Sequence, residues 1–352
     1  MDPTTLIPPS DAIPTAWGWF YFFLLFTFII HLLFMNAMLG TGIIALVRHL
    51  KFGTQYCPVC KDISRKLPYT IAITINFGVA PFLFLQVLYS QFIYTSSVLM
   101  GMFWLSVIAL LLIFYYSAYI YDFKYDIWPR LKIFCLGASV ILGLVIAFLF
   151  TNNMTLMLNP EKWSAYFEQR SGTLLNTGDP TLIPRYLHFV VASVAVGGLF
   201  TALLWRFKKD TRAWEYSREG LAWFSWATLA QVAVGVWFLL SLPQDIMLMF
   251  MGGESLHTAI FMLGLAGVAL SLTFSFKGRL WPTVGSLLGT VVFMVLMRDL
   301  VRQAYLDPYF HPSEVSVDPQ YLPLYLFIII LIIGLVVVGY MLKLAYEAKR
   351  EE

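Results

Sequence analysis

Nine stretches of this chain are too long and too apolar for the core of a water-soluble domain. They run at roughly 17–47, 68–93, 98–121, 132–152, 184–206, 221–244, 256–276, 280–303 and 322–346. Each exceeds the ~18 residues that mark a membrane-crossing helix. Inside hydrocarbon every backbone N–H and C=O has to be satisfied within the protein, and a helix does that within its own segment. The expected fold is therefore an all-α integral membrane protein, a bundle of about nine transmembrane helices forming a single domain over residues 1–352. Charged residues make up only 12% of the chain, against roughly a quarter in soluble domains. That excludes a soluble domain of any size and gives no footing for nucleic acid. The first fifteen residues hold Asp2 and Asp11 but no Lys or Arg. A cleaved signal peptide needs the opposite charge there and a small-residue cleavage site, so the first apolar run is expected to be a retained helix.

The charges between the runs sort by side. Arg48, Lys51, Lys61, Arg65 and Lys66 lie in the 48–67 loop, Lys124 and Arg130 in 122–131, and Lys208, Lys209, Arg212 and Arg218 in 207–220. Lys277 and Arg279 form the next turn of that series, and Lys343, Lys349 and Arg350 close it. The alternate loops carry Asp245 and Glu254, then Asp307, Glu314 and Asp318. The positive-inside rule then places the N-terminus outside (periplasmic) and the C-terminus in the cytoplasm, as nine spans require. The expected location is a bacterial or archaeal cell (inner) membrane.

Polar side chains at membrane depth are costly and mark function by default. Those in or bordering the runs are His31, His188, His257, Asn36, Asn76, Gln86, Gln231, Asp299, Arg298 and Arg302. Imidazole is a good ligand for haem iron and Met a usual partner. His188 and Met262 are at similar depth in spans 5 and 7, a spacing that allows them to clamp one iron. Arg185 precedes His188 by three residues, on the same helix face, where it could pair with a haem propionate. Asp299 and Arg302 repeat that spacing in span 8. Each residue type also has a plain structural use, since His and Asn hydrogen-bond neighbouring helices and most of the 14 methionines are packing. Cys57 and Cys60 form a Cys-Pro-Val-Cys with Lys61, not His, after it. This gives neither a zinc set nor a c-type haem site, and two reduced, structurally minor thiols are expected.

Several patches, in order along the chain, resemble subunit I of the cytochrome bd family of quinol oxidases. They are His31-Leu-Leu-Phe-Met-Asn-Ala-Met-Leu-Gly40, Asn76-Phe-Gly-Val-Ala80, Arg185-Tyr-Leu-His188-Phe, Met262-Leu-Gly-Leu265 and Asp299-Leu-Val-Arg302-Gln303. The resemblance implies that His188 and Met262 ligate a low-spin haem b, that His31 and Asp299 serve high-spin haems, and that Arg185 and Arg302 pair with propionates. One to three haems b, quinol as substrate, a second membrane subunit and a lipid bilayer go with it. The departures are specific. Only 245–255 joins spans 6 and 7, where the family has a long quinol-binding loop. Met100 and Ile108 stand where the family's third helix carries two glutamates, Gln86 and Ile260 where it carries Glu and Arg, and Asp299 where it carries Glu.

Reducing oxygen consumes protons at a buried site and needs titratable groups leading to it; span 3 holds no acid. The expected function is a b-haem membrane subunit of a quinol-oxidising oxidoreductase complex. It would pass electrons from membrane quinol to a periplasmic acceptor such as a c-type cytochrome, without oxygen reduction. The 245–257 segment, with Asp245, Glu254 and His257, is the expected quinol contact. Two alternatives stay open: a bd-type quinol:oxygen oxidoreductase, and a haem-free anchoring subunit of a respiratory complex.

Overall fold

A computed structural model describes residues 2–168 and 170–351. Among the described residues there are nine helices long and apolar enough to cross a membrane and no strand beyond one isolated bridge, Ile13 to Val317. The spanning helices are α1 (Trp17–Phe52), α2 (Pro58–Leu88), α4 (Gly101–Phe123), α5 (Leu131–Met157), α6 (Leu182–Arg206), α7 (Ala213–Ser241), α9 (Ser255–Phe276), α10 (Leu280–Leu306) and α11 (Tyr321–Glu351). The short helices α3 (Ser90–Leu99) and α8 (Gln244–Leu248) sit in connections. The connection between α5 and α6 contains a 3-10 turn, Pro160–Phe167.

Several helices outrun the apolar runs. The second begins at Pro58, about ten residues before hydrophobicity starts, because Cys57 caps it and Pro occupies its first position. It then continues through Pro68 and Pro81 without a break. The apolar run 68–93 itself is interrupted, because Tyr89 leaves helical geometry (φ −132°, ψ 36°) and starts α3.

α1 is the central helix, packed against α2, α5, α6 and α10. Its crossing with α6 is a contact of bare backbones. A Cβ on Gly40 would fall 1.7 Å from the carbonyl oxygen of Ser193, and one on Gly197 would fall 2.4 Å from the carbonyl carbon of Gly40. The next residue, Gly198, turns to α7, where its Cβ would lie 2.8 Å from the oxygen of Gly220. Lipid tails are as apolar as Leu, so close backbone approach through small residues drives much of helix association in membranes. Gly264 and Gly267 are used inside the chain as well, against Met297 and Thr290 of α10.

The two ends of the bundle differ. Short connections and basic residues occupy one end, tied by Arg48–Glu219 (2.5 Å), Lys208–Asp62 (2.6 Å) and Lys61–Asp126 (2.9 Å). The long connections gather at the other, where Phe92, Trp163 and Phe310 pack together. There the backbone of Asp318 donates to Ile13 and pins the start of α11 beside the entry to α1. Beyond that point α11 stands clear, with none of its spanning window buried. Lys343 pairs with Glu347 at 3.8 Å; the side chains of Lys349 and Arg350 lie outside the described ones.

Gly197→Leu is expected to prevent assembly of the bundle, because the neighbour in the way is backbone and cannot turn aside. Gly289→Ala, where an added Cβ meets nothing within 4 Å, is expected to be neutral. Detergent size-exclusion profiles and thermal unfolding of the two variants separate these outcomes.

Candidate functional site

The α6 sequence puts Arg185, His188 and Phe189 on one helical face. That face meets α7, α9 and α10 around a cavity of about 210 Å³ at the end of the bundle with the long connections. Its polar contributors are Arg185, His188, Gln231 and Arg298; the rest of its wall is aliphatic, aromatic or methionine. Val232, Val236 and Leu265 line it and are themselves 39%, 51% and 40% exposed. The cavity therefore continues as a groove open on the flank between α7 and α9.

The charges in this cavity are unbalanced. Arg185 is 9% exposed, its Nε has no partner, and its guanidinium lies 5.2 Å from the centre of the Phe238 ring. Arg298 lies 4.4 Å from the centre of the Phe28 ring. Neither forms an ion pair among the described residues. A cation–π contact contributes up to ~2 kcal/mol when desolvated, less than the cost of an uncompensated buried charge. Two such cations on one cavity call for negative charge from outside the chain.

His188 is placed with equal care. Its ring lies against Gly235 of α7, where a Cβ would come 3.2 Å from Cε1. Its Nδ1 is buried without a hydrogen-bond partner, and so is Oε1 of Gln231. Buried polar atoms are satisfied in the great majority of cases, so these two also point to a group that the chain does not supply.

The other expected ligands are distributed differently. Met262 is 58% exposed and does not line the cavity, so the expected clamp of His188 and Met262 is not formed. The face that α9 turns inward is Phe261, Leu265 and Val268, and Met262 is rotated about 100° from Phe261 by the helical period. The sulfurs in the cavity belong to Met294 and Met297 of α10. Asp299 is not free to act as a ligand either. Arg302 takes its Oδ1 in a buried pair, and its Oδ2 accepts from the Tyr21 hydroxyl (2.5 Å) and Gln303 Nε2 (2.7 Å). Arg302 is thus committed to Asp299, and Arg298, one turn earlier, is the α10 arginine that faces the cavity. His31 lies on the α2 side of α1, with Nδ1 3.1 Å from the Thr74 carbonyl and its ring on Gly78, where a Cβ would fall 2.8 Å from Cε1. Such a bond from Nδ1 is how a ligating histidine is usually oriented, but His31 does not share the cavity of His188.

The 245–257 segment closes one edge of the cavity. After α8 a π turn, Met249–Gly253, reverses through Gly252 (φ 110°) and is fixed by Thr258, whose hydroxyl receives the Gly252 N–H (3.0 Å). The turn buries Phe250 in the cavity wall, and Phe250 packs edge-on against His257 at 5.2 Å. The Nδ1 of His257 is buried and unpartnered. Asp245 and Glu254 are exposed. Elsewhere, Cys57 and Cys60 are joined as a disulfide, not left as two thiols, because the first turn of α2 brings their Cα atoms to 5.2 Å.

No protein-family model, curated protein or solved structure matches this chain. Arg298 and Gln231 were visible in the sequence only as polar residues within spans. A sharper signal was present: neither Arg185 nor Arg298 has an acid three or four residues away, whereas Arg302 has Asp299.

Replacing Asp299 by Ala leaves Arg302 as an uncompensated buried charge. A loss of ~3–5 kcal/mol is expected, readable as a lowered unfolding midpoint in detergent. Met262→Ala is expected to leave the midpoint unchanged.

Proposed function

We propose that the His188 cavity holds a b-type haem and that the chain is the electron-carrying membrane subunit of a quinol-oxidising complex. The observation that carries this reading is the donor set in one apolar cavity: an orphaned imidazole and two arginines without carboxylate partners. A haem has an iron that accepts imidazole nitrogen and two propionates that match two guanidinium groups. When bound it supplies reversible one-electron storage. The residues that would hold it are His188, with Arg185 and Arg298 for the propionates, and Met294 or Met297 as the available sulfur. A porphyrin is larger than the cavity, and the open flank between α7 and α9 is where further room lies.

The chain's own residues account for the rest. Gly235 sets the height of the imidazole, and the apolar wall excludes water and lowers the local dielectric, which strengthens both arginine pairings. Quinol oxidation releases protons, and His257, Asp245 and Glu254 belong to the segment whose Phe250 lines the cavity, at the end with the long connections. The positive-inside rule makes that end periplasmic, so the acceptor is a periplasmic electron carrier such as a c-type cytochrome. Oxygen reduction is not proposed. Of the two positions that resemble the family's glutamates, Ile108 is 65% exposed and Met100 is fully buried with Asn152 donating to its sulfur. Neither leads protons inward.

A second reading rests on the open groove: two arginines facing a lipid-accessible flank also suit the phosphate of an anionic lipid in a haem-free anchoring subunit. Spectra decide between them. Dithionite-reduced minus air-oxidised spectra with pyridine haemochrome quantitation are expected to show b-type bands and no chlorin band. His188→Ala is expected to lose one haem per chain, Arg298→Gln to weaken its retention, and Met262→Ala to keep it. Protein without haem overturns the proposal in favour of the anchoring subunit; a chlorin band with quinol-driven oxygen uptake overturns it in favour of an oxygen reductase.

A further inference from the structure

The basic end of the bundle contains a disulfide that fits no structural need. Cys57 and Cys60 close a ring of only four residues, and a link that short constrains little of the unfolded chain. The end that carries it is the one the positive-inside rule assigns to the cytoplasm. On that side of a membrane, thiol pools keep cysteines reduced, and disulfides that do form are transient, catalytic or sensory. We propose that Cys57 and Cys60 are a reversible thiol–disulfide couple that exchanges with the thiol pool at the basic face. This rests on the orientation given above but not on the cofactor.

The surroundings are built for exchange. Cys57 is the N-cap of α2, and its sulfur receives the Cys60 N–H at 3.1 Å. A thiolate at that position is stabilised by the helix N-terminus. Lys132 adds positive charge nearby, its ammonium group 4.1 Å from the centre of the Tyr125 ring, while Lys61 is paired with Asp126. The backbone is held while the sulfurs react: Tyr125 donates to the Cys57 carbonyl and Tyr121 to that of Cys60, each at 3.2 Å. Burial pushes the Tyr125 hydroxyl up to about 12, so it remains a donor. The Gly53–Gln55 turn that precedes the pair is exposed, with Gly53 at φ 63°.

The chemistry balances with two low-molecular-weight thiols. The first, as thiolate, attacks the sulfur of Cys57, which is buried at 7% exposure but follows the exposed 53–56 turn, whereas Cys60 is 0% exposed. The Cys57–Cys60 bond breaks and Cys60 leaves as thiolate. The second thiolate attacks the outer sulfur of the mixed disulfide, forms the small-molecule disulfide and releases Cys57. Two electrons and two protons pass from the thiols to the protein.

The test uses the full chain with Cys135→Ser, so that only this pair is counted, in sealed membrane vesicles of each orientation. Vesicles are equilibrated anaerobically with reduced and oxidised glutathione, quenched, alkylated with a maleimide of known mass, and the protein is weighed. The expected result is no tag at oxidising ratios and two tags at reducing ratios. Both tags should appear together, with a second-power dependence on reduced glutathione, only when the basic face meets the buffer. Two tags at every ratio, no tag until the protein is denatured, or exchange from the opposite face would each overturn the proposal.

Discussion

The packing of this bundle depends on one place where three helices approach until backbone and Cβ atoms touch. Gly197 and Gly198 are neighbours in α6, and successive residues on a helix point about 100° apart. One therefore meets α1 at Gly40 and the other meets α7 near Gly220. The triple contact fixes how far α6 stands from both neighbours. His188 and Arg185 lie on that same helix, so the depth and direction of the candidate site follow from a crossing several turns away.

Charge is distributed by a different rule at each level of the structure. At the basic end, Arg48, Lys61 and Lys208 have acidic partners distant in sequence. At the opposite end, Asp299 and Arg302 neutralise each other in the interior. Arg185 and Arg298 break the pattern, and both face the same cavity as the orphaned His188. Arg302, one turn further along α10, has its carboxylate partner; these two share a cavity that holds none.

The helices themselves were legible, because hydrocarbon admits few alternatives to a long apolar helix. Their ends were not: α2 starts where a cap and a proline start it, and hydropathy is blind to both. His188 and Arg185 were legible as a pair because i and i+3 share a face. Met262 was misplaced because depth along a helix says nothing about rotation around it, and one residue of phase turned it outward. The commitment of Asp299 was legible only in part: Arg302 is three residues on, but Tyr21, which donates to its other oxygen, lies 278 residues away in sequence. The bond between Cys57 and Cys60 depends on the first turn of α2, which no apolar run announces.

The open flank between α7 and α9 has a consequence for supply. A molecule that reaches the cavity through it comes from the lipid phase and not from water. Its occupancy then follows its mole fraction in the bilayer, and it is delivered by diffusion in the plane of the membrane. Solubilisation changes that reservoir: micelles dilute the amphiphiles a membrane concentrates and offer their own tails to the same groove.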